Sequence, residues 1–125
     1  MKLKAIIRCS GLLIFKCPGC NENHGVYTDP SNPNPNNGAK WGWNQSMTKP
    51  TFSPSILRKG EKFTAKGEEE YRQWFAGEIK EVPNGKFDSV EIICHSFVTD
   101  GYIQFLSDCT HHLRDKTVEI PEWED

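Results

Sequence analysis

The stretch that decides the fold is residues 90–109, VEIICHSFVTDGYIQFLSDC, in the C-terminal part of the chain. Asp100-Gly101 separates two runs rich in β-branched and aromatic residues, a pattern typical of a β-hairpin with a two-residue turn. This turn sets the register, because it places Thr99 opposite Tyr102. The residues before Thr99 then pair in order with the residues after Tyr102. Both faces of the hairpin contain apolar residues, so we expect it to lie in the centre of a sheet.

The same register predicts a metal site on one face of the hairpin. Cys94 lies opposite Ser107, and Cys109 is its diagonal neighbour on the same face, within reach of a shared ion. The motif CPGC at residues 17–20 is a C-x-x-C knuckle, which presents two thiolates from a tight turn. A redox pair of this spacing opens a helix, and the following residues, NENHG, are poor helix starters, so redox chemistry is less favoured. We predict a zinc ion held by Cys17, Cys20, Cys94 and Cys109.

Histidine could replace one of these thiols, because mixed Cys/His zinc sites are common. The candidates for such a replacement are His24, His95 and His111. His24 is equally compatible with a ligand, a catalyst and a turn residue. The N-terminal segment has no small-residue cleavage site, so we expect a cytoplasmic protein, in which the five cysteines are unsuited to structural disulfides.

The opposite face of the hairpin carries a candidate catalytic pair. His95 is diagonal to Asp108, and a carboxylate beside an imidazole can fix its tautomer and support general-base action on a hydroxyl. A histidine and an aspartate placed in this way are more often a structural hydrogen-bonded pair than a catalytic one. The candidate hydroxyls are those of Ser53, Ser55, Ser96 and Ser107. The first two belong to PTFSPSIL at residues 50–57, whose two prolines exclude a helix and favour an extended edge segment.

Elsewhere the pattern predicts a small β-rich α+β fold, a single domain over residues 1–125 with a zinc knuckle, a central β-hairpin and one inserted helix. Alternation of apolar and charged residues at positions 2–8 predicts a first strand, and TVEI at 117–120 predicts a last one. Residues 29–38 contain only turn formers, so we expect an exposed, mobile loop that could act as a lid over a groove.

The inserted helix is predicted over residues 68–76, where glutamates crowd the start of the segment. Tyr71, Trp74 and Phe75 fall on one face of this helix. We expect that aromatic stripe to pack in the core.

The composition narrows the class of protein. The chain has 125 residues, a net charge of −2 and a mean hydropathy of −0.64, which is the profile of one globular domain. No apolar run approaches the ~20 residues of a transmembrane helix. The charge leaves no broad basic face for phosphates, so nucleic-acid binding is the least favoured function.

Several segments together resemble a family of small proteins from tailed bacteriophages, prophages and bacteria. The matching segments are FKCPGCNENHG, WGWN, KPTFSPSIL, ICHSFVTDGYIQFLSDCTHHL and TVEIP. The family is a domain of unknown function that is often mislabelled as an ammonia monooxygenase, and nothing in these residues supports that label. Some relatives look like products of bacterial operons for ubiquitin-like conjugation, which implies a peptidase role.

The resemblance also carries a pattern of site residues. It includes the four cysteines of the predicted metal site and polar positions that match His24, Ser53, His95, Ser96, Asp108 and His111. This chain departs from the pattern in having two histidines after the fourth cysteine, where the family usually has one. The insertion at about residues 58–88, which contains the helix, is also not general in the family.

We therefore predict a zinc-stabilised hydrolase. The favoured hypothesis is a peptidase that acts on a protein or peptide substrate, such as the tail of a ubiquitin-like protein. In this hypothesis Ser53 is the nucleophile, His95 is its base, Asp108 orients the base, and His111 lies nearby. The four-thiolate zinc is structural, because a catalytic zinc keeps one position open for water.

Two other hypotheses stay open at this point. In the first, the protein is a non-catalytic zinc-ribbon-like adaptor that binds a phage or host protein through a ridge formed by Trp41 and Trp43, although these residues are more simply expected to pack. In the second, hydrolysis takes place at the zinc itself, with His24 or His111 among the ligands.

Overall fold

A computed structural model describes all of residues 1–125. It contains two antiparallel sheets, one α-helix and a short 3-10 helix. The strands are β1 (Lys4–Ala5), β2 (Leu12–Lys16), β3 (Asn23–Tyr27), β4 (Gly42–Trp43), β5 (Phe52–Phe63), β6 (Ser89–Thr99), β7 (Tyr102–Phe105) and β8 (Thr117–Glu119), and the helices are α1 (Ala65–Phe75) and Pro83–Gly85. These elements confirm the predicted β-rich α+β fold with one inserted helix.

The smaller sheet, of order β1-β2-β3, carries the cysteine knuckle. Leu13 and Phe15 of β2 and Val26 of β3 are buried, as the two-residue period of a half-buried strand requires. The knuckle forms the turn from β2 to β3, where the N–H of Cys17 donates to the carbonyl of Glu22 at 2.9 Å. The turn therefore brings its first thiol to the buried side of this sheet.

The larger sheet has the order β4-β5-β6-β7-β8, which places the β6-β7 hairpin inside it as predicted. Asp100 and Gly101 have φ values of 50° and 82°, which suit a type I′ hairpin turn. Thr99 pairs with Tyr102 and Ser96 faces a residue of β7, Phe105, so the predicted register is confirmed.

The pairing of β5 with β6 contains one irregularity near the start of β5. Phe52 lies opposite Val98, whereas Ile56 lies opposite Ser96. Residues 53–55 are therefore accommodated opposite a single residue of β6. Such a bulge bends the strand and re-aims the side chains within it.

The core collects side chains from both sheets and covers only one face of β6. Cys94, Ser96 and Val98 on that face are buried. The intervening residues of β6 face the other way, and Phe97 among them is 44% exposed. The apolar residues on this second face are only partly covered or exposed, so the hairpin is central within the sheet but buried on one face.

Helix α1 begins at an N-cap, because the Thr64 hydroxyl accepts a hydrogen bond from the N–H of Gly67 at 3.1 Å. Its aromatic stripe does not pack in the core as predicted. Tyr71, Trp74 and Phe75 are 43%, 42% and 77% exposed, because they contact aromatic residues of the same insertion instead of the main sheets. No helix of the structure is both long enough and apolar enough to span a membrane.

The predicted first strand is also shorter than expected. Only Lys4–Ala5 pairs with β2, and Ile7, one of the apolar positions in the predicted alternation, is 97% exposed. The chain turns after Ala5, so the alternation stops there. Residues 29–38 form turns without strand or helix, and β8 forms where the last strand was predicted.

Candidate active site and metal centre

Three side chains form a hydrogen-bonded chain on the open face of β6. The Ser55 hydroxyl oxygen lies 3.0 Å from His95 Nε2, and His95 Nδ1 lies 3.0 Å from a carboxylate oxygen of Asp108. The imidazole is 25% exposed and the carboxylate 48%. In this order and at these distances, an imidazole can take the proton of the hydroxyl while the carboxylate holds its tautomer.

The hydroxyl beside His95 belongs to Ser55, whereas the nucleophile predicted from the sequence was Ser53. The bulge in β5 accounts for the difference, because it changes which residue of that strand comes next to His95. Ser53 is exposed and pairs with Gly42 of β4 instead. The two prolines of this segment predict an extended strand, but they do not determine which of its serines lies beside His95.

Asp108 reaches His95 because the chain stays attached to β6 after β7 ends. The N–H of Leu106 donates to the carbonyl of His95 at 2.9 Å, and the N–H of Cys109 donates back to the carbonyl of Leu106 at 3.2 Å. Asp108 therefore stands in a tight turn that is tied to the strand carrying the histidine. The predicted diagonal placement of these two side chains agrees with the structure.

Trp41 contacts the backbone of Ser55 from the side opposite β6. Its indole N–H donates to the Ser55 carbonyl at 3.2 Å, and its backbone N–H donates to the carbonyl of Tyr27 in β3 at 2.8 Å. Trp43 likewise donates from its indole to the carbonyl of Ser46 at 3.2 Å. Both tryptophans pack against the core, so they do not project as a free ridge. The sequence contained no signal for the contact of Trp41 with Ser55.

On the buried face of β6, Cys94 joins a cluster of metal-binding side chains. The sulfurs of Cys17, Cys20 and Cys94 and a ring nitrogen of His24 all lie within 4.8 Å of one another. Cys17 and Cys94 are 3.7 Å apart at their sulfurs, and His24 Nε2 is 3.1 Å from the Cys20 sulfur. Three thiols and one imidazole this close together can hold a metal ion.

Protons are shared unevenly in this cluster, because Cys94 and His24 hold theirs while Cys17 releases its own. The hydrogen bond from Cys94 holds the pKa of the Cys17 thiol well below its usual range, and the same interaction with burial raises the pKa of Cys94. Burial lowers the pKa of His24, but hydrogen bonds and charges from Cys17 and Cys20 outweigh burial and raise it to about 9. A thiolate beside an imidazolium is thus favoured, and a divalent cation can replace those protons.

Cys109, the predicted fourth thiolate, belongs to a second group. Its sulfur lies with Cys94 and a ring nitrogen of His111 within 4.8 Å. His111 was predicted near the catalytic pair, but it lies on the metal side, where its ring meets that of Phe105 edge-on at 4.4 Å. The Nε2 atom of His111 is buried without a hydrogen-bond partner. The four-residue group therefore has a histidine, His24, where a fourth thiolate was predicted.

The other candidate hydroxyls do not reach His95. Ser96 is fully buried on the metal face of β6, and its hydroxyl has no hydrogen-bond partner. Ser107 is exposed in the turn beside Asp108. Among the serines considered, only Ser55 bonds the imidazole.

The surface around Ser55 forms no enclosed cavity, and one of the cavities of the structure lies on the other side of the sheet. That cavity, of about 540 Å³, is lined by metal-cluster residues such as Cys20 and His111 and by charged residues of β5, and it does not include Ser55 or His95. An open site accepts a polypeptide segment more readily than a small molecule, which needs an enclosing pocket.

A protein-family model described as bacterial ubiquitination-like system serine protease (BubE) matches residues 3–106. The matched residues include Ser55 and His95 and end two residues before Asp108. No curated protein matches the chain, and no solved structure does.

Proposed function

The chain belongs to this family of serine proteases of bacterial ubiquitination-like systems, and we propose that it cleaves the C-terminal tail of a ubiquitin-like protein with Ser55, His95 and Asp108 as its catalytic triad. The observation that carries this proposal is the unbroken hydrogen-bonded chain from hydroxyl to carboxylate, with both contacts at 3.0 Å. The family name independently calls for a reactive serine.

Each member of the triad has a defined task. The Ser55 hydroxyl oxygen attacks the carbonyl carbon of the scissile amide while its proton passes to His95 Nε2. Asp108 accepts the Nδ1–H hydrogen bond and stabilises the imidazolium. That imidazolium protonates the leaving amine, the C–N bond breaks, and the acyl group stays on Ser55 as an ester. A water molecule, deprotonated by His95, then hydrolyses the ester and releases a carboxylate and the free serine.

The proposal also includes one structural zinc ion held by Cys17, Cys20, His24 and Cys94. These four donors come from the knuckle, β3 and β6, so a bound ion crosslinks the smaller sheet to the larger one. Four protein ligands complete a tetrahedron and leave no position for a catalytic water. The ion in this role stabilises the strand that carries His95 and takes no part in bond cleavage.

Ser55→Ala tests the triad, with Ser53→Ala as the matched control from the same bulge. The substrate is a bacterial ubiquitin-like protein with a C-terminal extension, and cleavage is followed by mass spectrometry. We expect Ser55→Ala to lose ~10⁴-fold or more in rate and Ser53→Ala to keep nearly full activity. A fluorophosphonate should form its adduct on Ser55. Activity that survives in Ser55→Ala and disappears in Ser53→Ala would return the nucleophile to Ser53.

Metal analysis of single variants tests the ligand set. We expect about one zinc per wild-type chain, loss of the ion in His24→Ala, and full retention in His112→Ala, which changes an exposed histidine. Loss of zinc in Cys109→Ser with retention in His24→Ala would instead support the four-thiolate site. Absence of any bound metal in the wild type would remove this part of the proposal.

A further inference from the structure

The outer edge of β5 carries no neighbouring strand just beyond Ser55. β4 is the only strand that pairs with β5 on that side, and it pairs only with Phe52 and Ser53. From Leu57 to Phe63 every residue of β5 is exposed. The edge of the sheet therefore opens directly beside the triad.

Hydrogen bonds on the far side of β6 show which way the backbone of β5 points. His95 and Ile93 use their carbonyls to accept from N–H groups of residues 106–110, both at 2.9 Å. The N–H of Ile93 donates to a threonine hydroxyl of the same segment at 3.0 Å. Both residues of β6 thus direct their backbone groups away from β5.

The residues of β5 that face them must direct their own groups to the outer edge. Leu57 pairs with His95 and Lys59 pairs with Ile93 in an uninterrupted antiparallel register. In such a ladder, facing residues either bond each other or both point away. The N–H and C=O groups of Leu57 and Lys59 are therefore unpaired on the outer edge. The equivalent carbonyl of Ser55 is already occupied by the indole of Trp41.

We propose that the substrate tail binds as an added β-strand on this edge, pairing through its backbone with Leu57 and Lys59. The inference rests on the proposed function and specifies how its substrate is held. Leu57 is two residues from Ser55, or about 7 Å along the strand, so a bound strand continues directly to the nucleophile. Backbone pairing of this kind captures extended peptides and leaves folded segments unbound.

The side chains along the edge define the chemistry of the occupant. Leu57 is 50% exposed on the face that carries His95, and it can pack against an apolar side chain of the tail. Lys59 follows on the same face and favours an acidic or polar side chain opposite it. The substrate is thus an extended tail with an apolar residue near the scissile bond and a polar residue two positions away.

Lys59→Pro tests the edge, because proline removes the outward N–H while leaving the bonds to β6 in place. Lys59→Ala removes the same side chain but keeps the N–H, so the difference between the two variants measures the backbone contribution alone. With a fluorogenic peptide copied from the tail of the cleaved ubiquitin-like protein, we expect KM to be about tenfold higher in Lys59→Pro than in Lys59→Ala. The rate of fluorophosphonate labelling of Ser55 should be the same in all three proteins. Equal KM values in Lys59→Pro and Lys59→Ala would overturn the proposal.

A scan of N-methylated tail peptides on the wild-type enzyme gives a test that does not depend on the folding of a variant. We expect cleavage to weaken at every second methylated position on one side of the scissile bond, because only alternate N–H groups face the edge. An effect without this period, or a tail peptide that is neither bound nor cleaved, would overturn the edge proposal. Labelling of Ser55 would in that case leave the proposed protease function standing. Dimers of the wild type that dissociate in Lys59→Pro would assign the edge to a second copy of the chain and also overturn the proposal.

Discussion

The two faces of strand β6 differ in burial and in chemistry, although their residues alternate along one backbone. Cys94 faces the core with no exposed surface, among soft donors from the knuckle and β3. His95, the next residue, faces the open side between a hydroxyl and a carboxylate. One strand therefore carries a Cys/His group that can hold a metal ion on one side and the proposed catalytic triad on the other.

This difference separates two requirements that conflict at a single position. A ligand cluster is most stable when it is shielded from water, whereas a nucleophile must be accessible to a polypeptide. The two-residue period of the strand satisfies both at adjacent residues, Cys94 and His95. We infer that the buried face contributes stability and the open face contributes activity, and that mutations should separate accordingly.

The largest effect is expected on folding stability, from a substitution on the buried face of β6. Cys17→Ser removes a donor from the cluster, and a structural zinc contributes on the order of 10 kcal/mol of apparent binding free energy. We expect this variant to lose zinc and its cooperative thermal unfolding transition. Cys9→Ser changes the one cysteine outside both clusters and should melt like the wild type. A Cys17→Ser protein that folds normally without metal would show that the buried face does not depend on the ion.

The next largest effect is expected on the rate of cleavage, from a substitution on the open face of β6. Asp108→Asn keeps the shape of the side chain but removes the charge that holds the tautomer of His95, and the corresponding change in a serine protease costs ~10⁴-fold in rate. We expect a similar loss in cleavage with an unchanged melting temperature. Ser107→Ala, in the same turn, is the control and should stay active. A fall of less than tenfold in Asp108→Asn would argue against a triad.

A smaller effect is expected where the open face meets the smaller sheet. Trp41→Phe retains an aromatic ring but loses the hydrogen bond to the Ser55 carbonyl, which is worth about 0.5–1.5 kcal/mol. We expect kcat to fall by about two- to tenfold and KM to change little, because Trp41 positions the serine. Trp43→Phe loses an equivalent bond to Ser46 and should leave kcat unchanged. Equal kinetics of the two variants would show that Trp41 only packs.

The smallest effect is expected in the loop of residues 29–38. Its start is anchored, because Asp29 accepts hydrogen bonds from Ser10 at 2.8 Å and from Ser31 at 2.7 Å. Residues 33–38 contribute no fully buried side chain. Replacing 33–38 by a short glycine-serine linker should shift the melting temperature by less than about 2 °C. Altered cleavage in this variant would support the lid role, and a collapsed fold would show that the loop is structural.

The sequence predicted strands, turns and the helix well where the residues that determine them lie within a few positions of one another. The Asp100-Gly101 turn predicted the hairpin register, and from that register came the placements of His95 beside Asp108 and of Cys94 near Cys109. The helix was also found, but its aromatic stripe was assigned to the core. Amphipathicity shows that a face seeks apolar partners and does not show whether the partners belong to the main sheets or to the insertion itself.

What the residues determined directly was the hairpin, its two chemically distinct faces and the knuckle, because turn chemistry and side-chain alternation act over a few positions. The packing of distant segments determined the rest. Ser55 rather than Ser53 meets His95 because a bulge adjusts the pairing of strands that lie forty residues apart. His24 joins the thiols because β3 stacks its ring on Phe15, beside the buried face of β6. Such contacts depend on how whole sheets fit together, and no short stretch of sequence contains that information.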